Sequence, residues 1–402
     1  MKVLFINLVY GIGSTGKIIA DIMSVLKKYG NDAKALYGAG ERSDNADAVK
    51  VSGKLEFYFH NAVSRFTDHA GLYSWAATLK IISEIRKFKP DIIHLHTLHG
   101  FYVNYEMLFR FLKEADIPVV WTLHDCWTFT GHCTHFSQAK CTQWQTECRG
   151  CKLLHRYPQC YLKGDVRRNY LRKKKAFTGV KNLTITTPSQ WLADQVAKSF
   201  LRDYPRIVIP NGIDRAIFHP QSSHLREKYH LEDKKIVLGA ANAWNARKGL
   251  PDLLTLANRL GSTYQVVLIG LTEKQLPDIS PNVLGLLRTT NQTELAQWYS
   301  AADVFVNPTY EETFGLTTVE AQTCGTPVVV YETDGCPETV APGNGRLIPQ
   351  GDMQALENAV RDVADSNWRA DPKKMVRFDK DTVYQDYVEL YENVLSTLKK
   401  GV

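Results

Sequence analysis

Two doubly wound α/β domains in tandem are what this sequence predicts, on three observations. Short β-branched or apolar runs alternate with longer segments of helical period, as in a parallel sheet with crossover helices. The alternation reaches a Pro210-Asn211-Gly212 turn and then starts afresh. The length, 402 residues, suits two or three domains at about 150 residues each.

Each element follows from local pattern. Residues 3–6 read as a strand, and 17–28 as a helix whose Ile18, Ile19, Ile22, Val25 and Leu26 share one face. A strand at 33–37, a helix at 79–88, a strand at 91–96, a helix at 107–114 and a strand at 119–123 continue the series. Residues 124–165 break it, being rich in Cys, His, Gln and Thr with no clean period. So long a stretch in a compact domain is functional or cross-linked. Alternation resumes with a strand at 183–187, a helix at 191–199 and a strand at 206–209. Beyond the turn, strands are expected at 235–240, 264–269, 282–286, 304–307 and 327–331. Helices are expected at 249–260, 292–300, 317–323 and 353–365. Residues 382–400 carry Val383, Tyr387, Leu390, Tyr391, Val394 and Leu398 at amphipathic spacing and read as a closing helix.

Composition narrows the class. Hydrophobic residues at 44% and charged residues at 23% argue against disorder. No apolar run approaches the roughly 18–20 residues that span a bilayer. The apolar start, residues 1–10, has one Lys, an internal Asn7 and no small-residue cleavage site, so it reads as a buried strand rather than a signal peptide. The formal charge of +7 divides unevenly, with +13 in residues 1–213 and −6 in residues 214–402. The basic half suits an anionic surface, a nucleic acid or a phosphorylated substrate.

Three local motifs could carry chemistry. Gly11-Ile12-Gly13-Ser14-Thr15-Gly16-Lys17 satisfies G-x-G-x-x-G and G-x-x-x-x-G-K, both of which aim backbone N–H groups at phosphate. Ile18 stands where an NTPase needs Ser or Thr for magnesium, and the end of the next strand, Tyr37-Gly38, offers no acidic residue until Glu41, which weakens a dinucleotide site. Six of the eight cysteines fall within 126–160. Cys133, Cys141, Cys148 and Cys151 form C-x7-C-x6-C-x2-C, a spacing that allows a structural zinc site, unligated thiols or a redox pair at 148 and 151. The run 163–175 holds Lys163, Arg167, Arg168, Arg172, Lys173, Lys174 and Lys175. It reads either as a solvated helix face or as a contact with anionic lipid.

The most specific stretch is residues 307–329, NPTYEETFGLTTVEAQTCGTPVV. A strand ends at Asn307, a loop presents Glu312, and a helix opening after Gly315 exposes the N–H groups of Gly315, Leu316 and Thr317, which suit a diphosphate. Glu320, one turn on, suits ribose hydroxyls. Glu312, Phe314, Gly315, Leu316, Glu320, Ala321, Cys324, Gly325, Pro327 and Val328 resemble the signature of family-four retaining glycosyltransferases, which have the GT-B fold. Thr313 and Thr323 depart from it. The resemblance extends to residues 209–214 (IPNGID), 301–308 (AADVFVNP), 334–338 (DGCPE), Arg247-Lys248-Gly249 and Thr122-Leu123-His124-Asp125. Asn242-Ala243 replaces the usual Gly-Arg. The Gly-Ser-Thr-Gly-Lys run, Trp244 and the Cys-rich segment are similar to a bacterial subgroup making capsule, colanic-acid-like or O-antigen polysaccharide.

The resemblance implies two Rossmann-like domains facing across a cleft. Residues 1–213 would form the acceptor side with the Cys-rich insertion 126–160, residues 214–381 would bind the donor, and the helix 382–402 would return to the first domain. His124, Glu312, Lys248 and Arg247 would be catalytic. Gly13, Ser14, Asn211, Arg288, Phe314, Gly315, Leu316, Thr317 and Glu320 would bind a UDP-, GDP- or ADP-sugar. His94 and His96 would line the cleft without binding metal, and Asp379-Lys380-Asp381 reads as a helix start. Catalysis would need no metal. The acceptor would be a saccharide, lipid-linked, at an anionic membrane on the inner face of the bacterial cytoplasmic membrane. Two other classes stay open on the residues alone. A nicotinamide oxidoreductase built on Gly11–Gly16 leaves Lys248, Glu312 and Glu320 unexplained. A basic zinc-containing nucleic-acid binder leaves the acidic half unexplained.

Overall fold

A computed structural model describes residues 1–400, so the last two residues of the expected closing segment lie outside the described residues. The chain divides into two compact units. One comprises Met1–Pro210 with the segment from Val383 onward, and the other Asn211–Thr382.

The first unit is built on seven strands: β1 (Lys2–Asn7), β2 (Asp32–Tyr37), β3 (Ala48–Lys50), β4 (Ile92–Leu95), β5 (Val119–Thr122), β6 (Leu183–Thr187) and β7 (Arg206–Val208). Their order is β3-β2-β1-β4-β5-β6-β7, and every pairing is parallel. Helices cover both faces, so β4 and β5 are buried throughout. The second unit has six strands: β8 (Lys235–Ala240), β9 (Tyr264–Ile269), β10 (Val283–Leu286), β11 (Val304–Asn307), β12 (Val328–Tyr331) and β13 (Gly345–Ile348). They run β10-β9-β8-β11-β12-β13, again all parallel. Separate apolar clusters lie on its two faces, one around Trp298, Tyr299 and Phe305, the other around Leu253, Leu256 and Val360.

Strand order reverses between β1 and β4 in the first sheet and between β8 and β11 in the second. Neighbouring strands there send their loops apart and leave a crevice at the carboxyl ends, where open α/β sheets bind ligands.

Most expected elements are present within a few residues. The first helix spans Gly13–Lys28, four residues longer at its start than its apolar period. Gly11 and Gly13 precede and open it at φ of 70° and 62°, values that glycine adopts at least cost. The short strands β3 and β13 and the helix Lys54–Thr67 have no counterpart among the expected elements. The closing segment is two helices, Lys380–Val383 and Gln385–Lys400, so Asp379-Lys380-Asp381 does open a helix. The longer one packs on the first unit. Tyr391 and Tyr387 place their hydroxyls 2.6 Å from His94 Nδ1 and 3.0 Å from Thr122 Oγ1. His94 is therefore fully buried beneath that helix, and His96 is only 2% exposed, so neither lines a surface, contrary to the sequence expectation.

Candidate active site

The crevice of the second sheet lies between the loops that follow β8 and β11. After β8 the chain makes a short 3-10 helix, Ala246–Lys248, capped by Asn245, whose side chain accepts the Lys248 N–H at 3.1 Å. Gly249 then turns at φ 75°, and a side chain there would meet the Pro308 carbonyl 2.1 Å from its Cβ. The two loops are thus pressed together by backbone. Arg247 fastens them, donating from Nη1 to the Glu311 carbonyl at 2.9 Å while its own carbonyl accepts Tyr310 N–H at 2.8 Å. The Lys248 ammonium forms an ion pair with the Glu312 carboxylate, both about one-fifth exposed.

Glu312 is held on its other side by the loop after β12. Its N–H donates to Asp334 Oδ2 at 3.1 Å, and its carbonyl accepts Gly335 N–H at 3.1 Å. Gly315, at φ 98°, then starts the helix Leu316–Thr323. Its first-turn N–H groups lack intrahelical acceptors and carry the positive end of the helix dipole. Asn307, at the end of β11, donates to Thr318 Oγ1 at 3.0 Å and ties strand to helix. Glu320 accepts a hydrogen bond from the buried Tyr299 hydroxyl at 2.9 Å, which fixes its carboxylate and leaves it partly exposed.

The remaining expected donor residues divide by burial. Phe314 is a core side chain packed edge-on against Phe378 at 5.8 Å, so its backbone is what it can offer a ligand. Leu316 and Thr317 are partly exposed. Arg288 is exposed in the loop after β10, at the same sheet edge. Asn211 is buried at the start of the second unit.

In the first sheet the crevice has different chemistry. Asn7, at the end of β1, spans it, donating to Val9 O at 2.7 Å and accepting Thr97 N–H at 3.2 Å. Gly13 and Ser14 are exposed at the helix start after β1. His124, after β5, stacks on His96 at an interplanar angle of 13°, with Nε2 2.9 Å from His96 Nδ1. Burial pulls the His124 pKa down to about 4, and His96 is also held well below its ordinary value, first by burial. Both rings are neutral at pH 7, so one N–H serves the shared bond. Beside them His99 Nε2 lies 2.6 Å from Asp125 Oδ2. Burial alone would raise the Asp125 pKa, but His99 outweighs it and holds the carboxylate near 2.

Sequence reasoning missed Tyr299, Asp334 and His96 as supports of Glu320, Glu312 and His124. Their partners are 21, 22 and 28 residues away in the chain, and only tertiary packing joins them. Cys133, Cys141, Cys148 and Cys151 come together as free thiols around one cavity. Among the described residues, however, no three His, Cys, Asp or Glu side chains are arranged as a formed metal site.

Comparison with known proteins identifies the class of enzyme. Residues 36–216 match the family model described as Glycosyltransferase Family 4, and residues 221–382 match Glycosyl transferases group 1. The putative colanic acid biosynthesis glycosyl transferase WcaC of Escherichia coli K12 is 24% identical over 318 residues, covering 76% of this chain and 77% of that protein. D-inositol 3-phosphate glycosyltransferase of Pseudarthrobacter chlorophenolicus is 29% identical over 206 residues, and the match spans about half of each chain, 46% and 48%. Among solved structures, sucrose-phosphate synthase from Thermosynechococcus elongatus superposes with a TM-score of 0.72 at 16% identity, covering 98% of this chain and 99% of that one. Anabaena HepE in complex with UDP and glucose gives a TM-score of 0.68 at 18% identity, covering 98% and 100%. These likenesses establish the GT-B fold. The chain is a glycosyltransferase. It carries a family-four glycosyltransferase domain over residues 36–216 and a glycosyl transferases group 1 domain over residues 221–382, between them more than four-fifths of its length.

Proposed function

We propose that this enzyme moves a sugar from a nucleoside-diphosphate sugar to a lipid-linked saccharide during synthesis of a bacterial surface polysaccharide, with retention at the anomeric carbon. The observation that carries the reading is the crevice after β8 and β11. Lys248, a helix N-terminus and the two carboxylates Glu312 and Glu320 meet there.

As the glycosyl C1–O bond breaks, negative charge grows on the leaving diphosphate. Lys248 and the N–H groups of Gly315, Leu316 and Thr317 are arranged to stabilise charge at that stage. The diphosphate would draw Lys248 from Glu312 and release that carboxylate to accept hydroxyls of the sugar. Glu320, already oriented by Tyr299, would accept the ribose hydroxyls. The acceptor oxygen forms the new bond to C1 on the face the diphosphate leaves, and its proton passes to a phosphate oxygen. Arg247 is a positioning residue in this scheme, because its guanidinium is engaged by the Glu311 carbonyl. His124, neutral at pH 7, would hydrogen-bond the sugar rather than neutralise charge. Gly13, Ser14, Asn211 and Arg288 would complete the donor set.

The partner membrane rests on a different observation. The helix Lys54–Thr67 turns its apolar side outward: Leu55, Tyr58, Phe59 and Phe66 are 89%, 65%, 54% and 56% exposed, while the buried positions are His60 and Ser64. Phe66 packs on exposed Tyr161, and Arg65 donates to the Tyr161 hydroxyl at 2.6 Å. Lys54 and Lys163 are exposed nearby in sequence. Aromatic side chains with basic neighbours suit the interface of an anionic bilayer. The basic run contributes less than its sequence suggests. It forms the helix Val166–Phe177, but Lys173 is buried, Arg167 pairs with Glu147 and Arg168 lies 3.7 Å from Asp165. No helix among the described residues is long and apolar enough to cross a membrane, which fits peripheral attachment at the inner face of the cytoplasmic membrane.

Thermal melts with UDP-, GDP- and ADP-sugars test the donor. One nucleotide sugar is expected to raise the melting temperature, through binding to the native state alone. No shift with any of them would remove the proposal.

A further inference from the structure

The Cys-rich segment between β5 and the helix Val166–Phe177 has little regular structure beyond the 3-10 turns Trp127–Phe129 and Gln143–Gln145. Its four cysteines of interest nevertheless converge. Cys133, Cys141, Cys148 and Cys151 all line one cavity of about 240 Å³, together with His132.

The backbone around them is arranged for sulfur that bears charge. Gly131 N–H donates to Cys148 Sγ at 3.2 Å, and Leu153 N–H donates to Cys151 Sγ at 3.4 Å. Gly150, inside the C-x2-C turn, holds φ 54°. A side chain at Gly131 would meet the Val166 carbonyl at 2.4 Å and Cys148 Cβ at 2.9 Å, so only glycine brings that amide over the sulfur. N–H groups aimed at thiols gain little while the sulfur is neutral, and about twice as much once it is ionised.

Two buried groups point the same way. Lys173 is 2% exposed on the far side of the helix from solvent, its ammonium donating to Trp127 O at 2.7 Å and Thr130 O at 3.1 Å, and its charge is felt by Cys133 and Cys148. His132 is also buried. Its Nδ1 lies 2.5 Å from Asp68 Oδ1, while Nε2 is buried without a hydrogen-bond partner. A ring nitrogen buried without a hydrogen-bond partner is costly, and burial disfavours the charged form of Lys173. Beside an anionic metal–thiolate centre each gains a partner.

We infer that this cavity is a structural zinc site, in which Cys133, Cys141, Cys148 and Cys151 bind one Zn2+ as thiolates. The four sulfurs bind as thiolates, and each that still carries its proton releases it on binding. Zinc takes four such ligands tetrahedrally at about 2.3 Å, which requires the side chains to turn into the cavity they already line. Three devices balance the site's net negative charge: the two backbone N–H groups, the Lys173 ammonium, and an N–H from His132 oriented by Asp68 as an outer-shell group. The metal supplies the cross-link that a segment with so little regular structure lacks. It anchors the chain that leaves His124 and Asp125.

Metal analysis of the full-length protein, purified under reducing conditions and reconstituted with Zn2+, tests this without any assay of transfer. About one zinc per chain is expected, released with all four thiols by a thiol-reactive mercurial. Replacing zinc by Co2+ is expected to give the intense near-ultraviolet charge-transfer band of thiolate ligands and the visible bands of a tetrahedral site. Cys148→Ser and Cys151→Ser are expected to lower bound metal at least tenfold, while Cys160→Ser, outside the set, retains it. If a serine variant fails to fold, the cobalt spectrum of the native chain still decides the matter. Substoichiometric metal or a cobalt spectrum without thiolate bands would each overturn the site. Because the readout is metal and not sugar transfer, failure here leaves the proposed function standing.

Discussion

The two units carry opposite chemistry at equivalent points of the same architecture. Both are open parallel sheets whose strand order reverses once, and in each the candidate groups lie on loops at or one strand beyond the reversal. In the second unit those groups are charged: the Lys248–Glu312 pair, Glu320 and a helix N-terminus. In the first they are His96 and His124, made neutral by burial and stacked on one another. Under the proposed function, the contrast follows from what each has to meet. A diphosphate needs positive charge that strengthens as it leaves, whereas sugar hydroxyls need donors and acceptors that do not pull the reacting charge toward themselves.

Removing the charge on the donor side should have the largest effect. Lys248→Ala is expected to cut kcat by about 10²–10³-fold with little change in melting temperature, as for loss of one group stabilising developing charge. Initial rates with the matching nucleotide sugar measure it, and a near-normal rate would break the assignment of the two crevices. Glu320→Gln is expected to raise the donor KM by tens of fold, about 2 kcal/mol for a charged hydrogen-bonding group. Tyr299→Phe should give a smaller rise in the same KM without altering kcat, since Tyr299 only orients Glu320.

The neutral side is testable through pH. Burial holds His60 and His124 near pKa 4, below the roughly 6.5 of a free imidazole. Between those values the unfolded chain binds protons that the native chain does not, so stability rises with pH there. It is fully present above pH about 6.5 and is lost as pH falls toward 4. The urea midpoint followed by tryptophan fluorescence is expected to drop between pH 7 and pH 5. A constant midpoint would mean that the imidazoles are not held neutral. The smallest effect on stability is expected at the outward-facing helix: Phe59→Ser and Phe66→Ser should change it by no more than about 0.5 kcal/mol. They should nonetheless weaken sedimentation with anionic vesicles, and unaltered vesicle binding would sever that helix from the membrane reading.

How much of this was legible in the sequence depends on the range of the interactions. The strand–loop–helix around Glu312, Gly315 and Glu320 is local, and its residues fall where the pattern predicts. The glycine turns at 11 and 13 are local as well. The Lys248–Glu312 pair crosses 64 residues, and nothing in either segment announces it. His94 and His96 look alike on one strand face, yet one is sealed under the closing helix while the other reaches His124. The helix Lys54–Thr67 carries an apolar stripe that faces solvent. The rule that assigns such a stripe to a core fails there.

The sequence by itself determined the two α/β units and the family. Alternating period and short-range motifs act through neighbouring residues, and they hold in any environment. Only the tertiary structure decided which histidine stays accessible, which carboxylate pairs with Lys248, and that four scattered cysteines share one cavity. Those outcomes depend on burial and on contacts across tens of residues, where desolvation and sheet topology, rather than spacing along the chain, select the partner.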